Sequence, residues 1–153
     1  MPKKAVVKGK KEVSGTFTAP GDNTVSDSAT NLMWIQDHDI IPGGKFAGEI
    51  EGEEAAIAAI AEMNRIKYAG YSNWRLPATL QELLSIVDYD RCEPAINPIF
   101  KNCHCEWYRT THTTAWSKKH ASSAFAWVVC FYSGNVNSFD KDFGYYVRPV
   151  RSQ

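Results

Sequence analysis

The chain has 153 residues, 44% of them hydrophobic, with 17 basic and 17 acidic side chains. That is the size and composition of one folded domain with an ordinary core. Zero net charge argues against a dedicated nucleic-acid binder, which carries a basic excess, and no apolar run approaches the ~20 residues of a membrane span.

The first stretch, Met1 to Ala19, opens with five Lys and one Glu within "MPKKAVVKGKKEV" and reads as a solvated tail or an edge strand. It lacks the apolar segment that follows the charges of a signal peptide. "PGDN" is turn chemistry. Val25 then falls in a short strand, "DSATN" in a turn and Leu32 to Ile35 in a second strand. "DHDIIPGGKFAGEIEG" is punctuated by Gly and Pro and reads as loop. "EEAAIAAIAEMNRIKYAG" predicts a helix: Ile57, Ile60, Met63 or Asn64, and Lys67 recur at helical spacing. Glu53 and Glu54 sit in its first turn, Lys67 in its last, and Gly70 is a stop.

"YSNW" predicts a turn and "WRL" a short extended piece. Pro77 bars helix at Leu76. Thr79 then caps a second helix, with Glu82 three residues on completing a capping box. Its apolar face is Leu80, Leu83, Leu84 and Val87, and it ends near "DYDRCEP". Beyond Pro98 the pattern changes. "EWYRTTHTTAWS", "AFAWVVCFYSGNVNSF" and "GYYVRPVRSQ" are rich in aromatic and β-branched residues, and "SGN" at 133–135 is a hairpin turn signal. Strand, helix, helix and then several strands is an α+β order.

Five blocks now carry a resemblance: "GDNTVSDSATNLMW", "AGYSNWRLPATLQELLSIVDY", "PAINPIF", "AWVVCFYSGNV" and "YYVRPVR". In this order, from Gly21 to Arg151, the chain resembles the bacterial family typified by the C-terminal domain of the Legionella collagen-like protein. "WRLPATLQEL" and "VRPVR" are also similar, more distantly, to segments of formylglycine-generating enzymes. The resemblance implies a C-type-lectin-like fold over residues 20–153: two helices packed on a small twisted antiparallel sheet, with long loops. It implies core roles for Trp34, Trp74, Leu76 and Trp127, and for Trp116, which matches a "YWSS" segment of the family, a place at a loop or hairpin edge with its ring half in the core rather than a ligand contact. It implies internal ion pairs for Arg75, Arg148 and Arg151, with Asp27 and Asp88 as natural partners. Relatives often carry a Cys pair where this chain has Met63 and Pro149. The resemblance also places the protein outside the cell or on its surface, with a phage particle or the cytoplasm as alternatives.

Catalytic patterns are missing. No G-x-S-x-G elbow occurs, and nothing matches the cysteine pair of the formylglycine-generating reaction, so no enzyme activity and no cofactor are expected. The calcium and sugar motifs of animal C-type lectins are absent too. Four cysteines allow three pairings; Cys92 with Cys103 or Cys105 would clamp the "EPAINPIFKN" loop, and Cys130 reads as a half-buried free thiol. Cys103 and Cys105, with Cys92 or His112, could hold zinc, but C-x-C is not the usual C-x₂₋₄-C knuckle, and no metal is expected.

What remains is surface chemistry. "EWYRTTHTTAWSKKHASSAF" and "YSGNVNSFDKDFGYY" mix aromatic anchors with adaptable polar groups, the mixture of a recognition surface. Trp107, Tyr108, Arg109, Lys118, Lys119, His120, Asn135, Asn137 and Tyr145 are its candidate ligand-binding residues. The expected function is a non-catalytic adhesin-like module for a glycan, a sulfated polysaccharide or a protein. The alternative is a structural subunit of an appendage or phage particle, assembling as a homo-oligomer through the basic tail and an aromatic face.

Overall fold

A computed structural model describes residues 9–120 and 125–153; the Lys-rich start of the expected tail lies outside the described residues. Five short strands form the first sheet: β1 (Glu12–Ser14), β2 (Phe17–Ala19), β3 (Thr24–Asp27), β4 (Leu32–Ile35) and, from the far end of the chain, β10 (Val150–Ser152). The edge-strand expectation for the early residues therefore holds for β1, whereas β2 lies inside the sheet between β1 and β3. Asp27 builds the turn between β3 and β4. Its carboxylate accepts from the Thr16 hydroxyl at 2.6 Å, the Ala29 N–H at 3.0 Å and the Thr30 hydroxyl at 2.9 Å. It is thereby fully engaged in local turn bonds and is not the partner of an arginine.

After β4 the chain makes two single-turn 3-10 helices, His38–Ile40 and Lys45–Ala47, then β5 (Ile50–Glu51) and helix α1 (Glu53–Arg65). β5 pairs with β9 (Gly144–Tyr145). A second, very short helix α2 (Leu80–Leu84) precedes a long loop. The third sheet follows: β6 (Trp107–Thr113), β7 (Phe125–Cys130) and β8 (Asn135–Asp140), all antiparallel, with helix α3 (Ala115–His120) between β6 and β7. The molecule is thus mixed α and β, with three antiparallel sheets and few helices. No helix among the described residues is long and apolar enough to cross a membrane.

Strand β4 organises the core. Side chains alternate across a strand, so Leu32 and Trp34 enter one apolar cluster while Met33 and Ile35 enter another. The first cluster joins them to Leu83 of α2, Ile86, Ile96, Phe100, and Tyr108, Val129 and Phe131 around the third sheet. The second joins them to Ala56, Ala59, Ile60 and Met63 of α1, and to Trp74 and Leu76. The buried stripe of α1 is thus 56, 59, 60 and 63, one turn apart as a helix requires. Ile57, expected on that stripe, is 51% exposed: two alanines let the helix approach closely, and that turns Ile57 outward. α1 also stops early. Lys67 adopts φ 50° and Ala69 φ 54°, so the helix ends at Arg65, before Lys67 and Gly70.

The "YSNWRLPATLQELL" stretch is pinned at both ends. Asn64 imitates a backbone partner for Trp74, donating to its carbonyl at 2.8 Å and accepting its N–H at 2.7 Å. Arg75 exchanges two backbone hydrogen bonds with Val150. Thr79 caps α2 through the Glu82 N–H at 3.1 Å, and the Glu82 carboxylate turns back to the Ala78 N–H at 2.7 Å. Arg75 closes on the same carboxylate with two bonds of 2.9 and 2.7 Å. α2 then ends at Leu84 rather than near "DYDRCEP".

The remaining arginine expectations are corrected. Asp88 pairs with Arg91. Arg148, fully buried, donates to the carbonyls of Ile35 and Gln36 at 2.8 Å and lies over the Phe100 ring. Arg151 lies 3.8 Å over the Tyr71 ring and donates to Asn73. Carbonyl dipoles and ring faces, rather than carboxylates, hold these two cations. Trp127 is also corrected: it is half-buried and outside both clusters, unlike Trp34, Trp74 and Leu76.

Candidate functional site

The nine candidate binding residues separate into three groups. Tyr108, Arg109 and Tyr145 are buried and cannot meet a ligand at the surface. Arg109 fills the space under β9, donating to the carbonyls of Ile50, Lys141 and Phe143 at 2.9–3.0 Å, with its guanidinium over the Tyr145 ring. Burial lowers its pKa from the ordinary arginine value, yet three carbonyls hold the charge. Tyr145 donates to the Asp140 carbonyl at 2.5 Å. Arg109 thus ties the third sheet to the β5–β9 pair, and Tyr108 belongs to the first apolar cluster.

Trp107, Asn135 and Asn137 share one face of that sheet. Register sets Trp107 beside Cys130 and Asn135 across three strands, with Arg109, Val128 and Asn137 in a following row. Both asparagines are exposed and Trp107 is half-buried, edge-on to Phe139 at 5.0 Å. Asn135 pairs with Cys130 and Asp140 with Phe125. At ~3.4 Å per residue, Asn135 therefore stands about 17 Å along the strands from the Phe125 end, which is the end that follows α3 in the chain.

Lys118, Lys119 and His120 form the third group, on α3, and all are exposed. No helical pattern marks this segment, since six residues are too few to carry one. Trp116, expected at a loop or hairpin edge with its ring half in the core, is 58% exposed on α3. It stacks on His120 one turn later at 4.4 Å with an interplanar angle of 20°, and its carbonyl accepts from His120 Nδ1 at 2.9 Å. Among the described residues no carboxylate lies within ion-pair distance of Lys118 or Lys119. α3 thus presents an exposed aromatic ring and two exposed cations on one short helix.

Among the described residues, Cys92, Cys103 and Cys105 form neither a disulfide nor a ligand cluster with His112. All four are free thiols, with Cys92 exposed and the other three half-buried, as read for Cys130. Burial pushes the Cys103 thiol above its ordinary value. His112 is committed elsewhere: its Nδ1 accepts the Leu80 N–H at 3.0 Å, at the start of α2.

A different polar cluster lies between the loop after β4 and the loop before β6. His38 is fully buried. Its Nδ1 is 2.7 Å from the Phe46 carbonyl and 3.1 Å from Asp39 Oδ1, and its Nε2 is 2.7 Å from the Tyr108 hydroxyl. The carbonyl can only accept, so Nδ1 carries the proton and Nε2 accepts from Tyr108. The Tyr108 oxygen in turn accepts the His104 N–H at 3.0 Å. The His104 ring stacks on Tyr146 at 4.3 Å and sets Nε2 2.9 Å from the same Asp39 Oδ1. Burial first, and then the Arg148 charge, lowers the His38 pKa to about 3, so this imidazole is neutral at pH 7. No single residue type in the sequence marks this cluster; His38 and His104 are 66 positions apart, and only the fold joins them.

The comparisons with known proteins bear on the whole chain. A family model described as the Lcl C-terminal domain matches residues 23–151. No curated protein matches.

Proposed function

The chain belongs to the Lcl C-terminal domain family, and from that premise we propose that it is a non-catalytic binding module that holds an acidic glycan, a sulfated polysaccharide above all, through α3. One observation carries the reading: Trp116 is exposed and stacked on His120, and the same short helix carries Lys119, three residues on and so toward the same side, and Lys118, both exposed and without a carboxylate partner among the described residues. A pyranose ring lies flat on such an indole, and the lysines reach its anionic substituents. The adhesive role that the family resemblance implies, outside the cell or on its surface, agrees with this chemistry. A C-type-lectin-like arrangement is the finer fold assignment we favour, supported by short helices flanking antiparallel strands and by the long loops at 36–49 and 88–106.

The test is retention of the purified protein on immobilised sulfated polysaccharide at low and moderate salt. Retention should fall with salt, because exposed charges are screened beyond ~8–10 Å at physiological ionic strength. K118Q/K119Q should weaken binding by about tenfold or more, which is ~1.4 kcal/mol, and Trp116→Ala should weaken it further, with unchanged circular dichroism. No retention at low salt, or retention untouched by the double substitution, removes the reading. A second reading, assembly with other copies or a protein partner, is favoured by the exposed Tyr89, Tyr132, Val136 and Phe143; a concentration-dependent oligomer by light scattering would support it.

A further inference from the structure

We propose that His38, Asp39 and His104 form a binding site for one divalent transition-metal ion of the zinc class. His38 Nδ1, Asp39 Oδ1 and His104 Nε2 lie within 4.8 Å of one another, with the carboxylate oxygen in the middle, 3.1 Å from one ring nitrogen and 2.9 Å from the other. The Phe46 carbonyl, 2.7 Å from His38 Nδ1, supplies a fourth oxygen on the same side. Two imidazoles, a carboxylate and a carbonyl are a borderline N/O set suited to zinc.

The spacing fits an ion with little movement. Bonds of ~2.0–2.1 Å at tetrahedral angles put ligand atoms about 3.3–3.4 Å apart. The two separations to Asp39 Oδ1, 3.1 and 2.9 Å, need open by only about 0.2–0.5 Å, the Phe46 carbonyl moves out from 2.7 Å by about 0.6–0.7 Å, and the two ring nitrogens, within 4.8 Å of each other, settle around the ion. In the metal-free protein, N–H protons bridge these same atoms, so the ion takes the place of two shared protons. Each imidazole moves its proton to the other ring nitrogen. For His38 that nitrogen is Nε2, which then donates to the Tyr108 hydroxyl now donating to it. This is the outer hydrogen bond that metal-bound histidines use to fix their tautomer.

Access and support are also built. Asp39 and His104 keep 26% and 31% of their side-chain surface in solvent, so an ion can enter, whereas His38 forms the inner wall. Asp37 accepts the Asp39 N–H at 3.0 Å and the Asn102 amide at 2.9 Å. Asn23 grips Asp37 through its backbone N–H and carbonyl. The two loops that supply the ligands are thus already held in register. A bound ion would staple the loop after β4 to the loop before β6 and raise stability as any native-state ligand does.

The experiment is titration of chelator-treated full-length protein with Co(II), followed by displacement with Zn(II). One equivalent of Co(II) should give visible d–d bands without the intense near-ultraviolet thiolate bands of a cysteine site, and Zn(II) should bleach them. Zn(II) should also raise the melting temperature. His104→Ala and Asp39→Asn, at half-exposed positions that leave the core intact, should each weaken binding by at least the roughly 10–100-fold that loss of even an outer-shell partner costs, and abolish the thermal shift. Cys103→Ser and Cys105→Ser should leave both readouts unchanged. No stoichiometric binding, thiolate bands, or affinity that survives His104→Ala each overturns the proposal.

Discussion

Glu82 shows how much one side chain carries. Its carboxylate closes the α2 cap, takes the Ala78 N–H and holds Arg75 with two bonds. Burial alone would raise its pKa, but the Arg75 hydrogen bonds and charge and the backbone N–H outweigh that and hold it below the ordinary value of 4.5. A lowered folded pKa gives stability that is complete above about pH 4.5 and lost as pH falls through the folded value. Glu82→Gln should therefore cost about 1–2 kcal/mol at pH 7, and its difference from wild type should shrink at an acid pH below the folded pKa. Urea unfolding at the two pH values measures this; a difference that persists in acid would contradict it. The cap was legible from Thr79 and Glu82 alone, because capping is local. Burial of Tyr108 was not legible. That ring sits in a strand whose letters resemble an exposed one, and its partner His38 comes from a loop 70 positions away.

Among the elements, the β7–β8 hairpin is the clearest case of sequence and structure agreeing. The "SGN" signal places Gly134 at φ 85°, where its N–H donates to the Cys130 carbonyl at 2.8 Å. A Cβ there would stand 2.5 Å from a Tyr89 ring carbon and 2.8 Å from a Val87 methyl. Gly134→Ala should therefore destabilise by more than the ~1 kcal/mol of the backbone term alone, and thermal melting would show it; a neutral result would mean that Tyr89 swings away freely. Helices were harder to read. α1 was legible as a helix, but its buried stripe runs through Ala56 and Ala59, which a hydrophobic pattern underweights. α3 was invisible, since a six-residue helix with an exposed Trp116 has no apolar face to announce it.

At the scale of the molecule, the strands near Val25 and at Leu32 to Ile35, the turn between them and the α+β order were all legible. Pairing between the two ends of the chain was not, because nothing local specifies that β10 meets β4. Both apolar clusters share β4, so neither can dissolve while the other persists. Unfolding should be one transition, with tryptophan fluorescence and far-ultraviolet dichroism coinciding. Trp34→Ala should cost about 3–5 kcal/mol and shift both signals together. Two separated transitions would show that the clusters are independent units.

The pairing of Val150 with Trp34 also sets the order of events during synthesis. β4 leaves the ribosome early, with apolar side chains on both faces and one edge unpaired. The strand that covers that edge is made more than a hundred residues later, and most walls of the two clusters are added in between. At the usual ~5–20 residues per second, a nascent chain spends many seconds with that edge of β4 open. For this protein the dangerous interval is translation itself, and a holdase chaperone waiting at the tunnel exit would have an obvious place to bind.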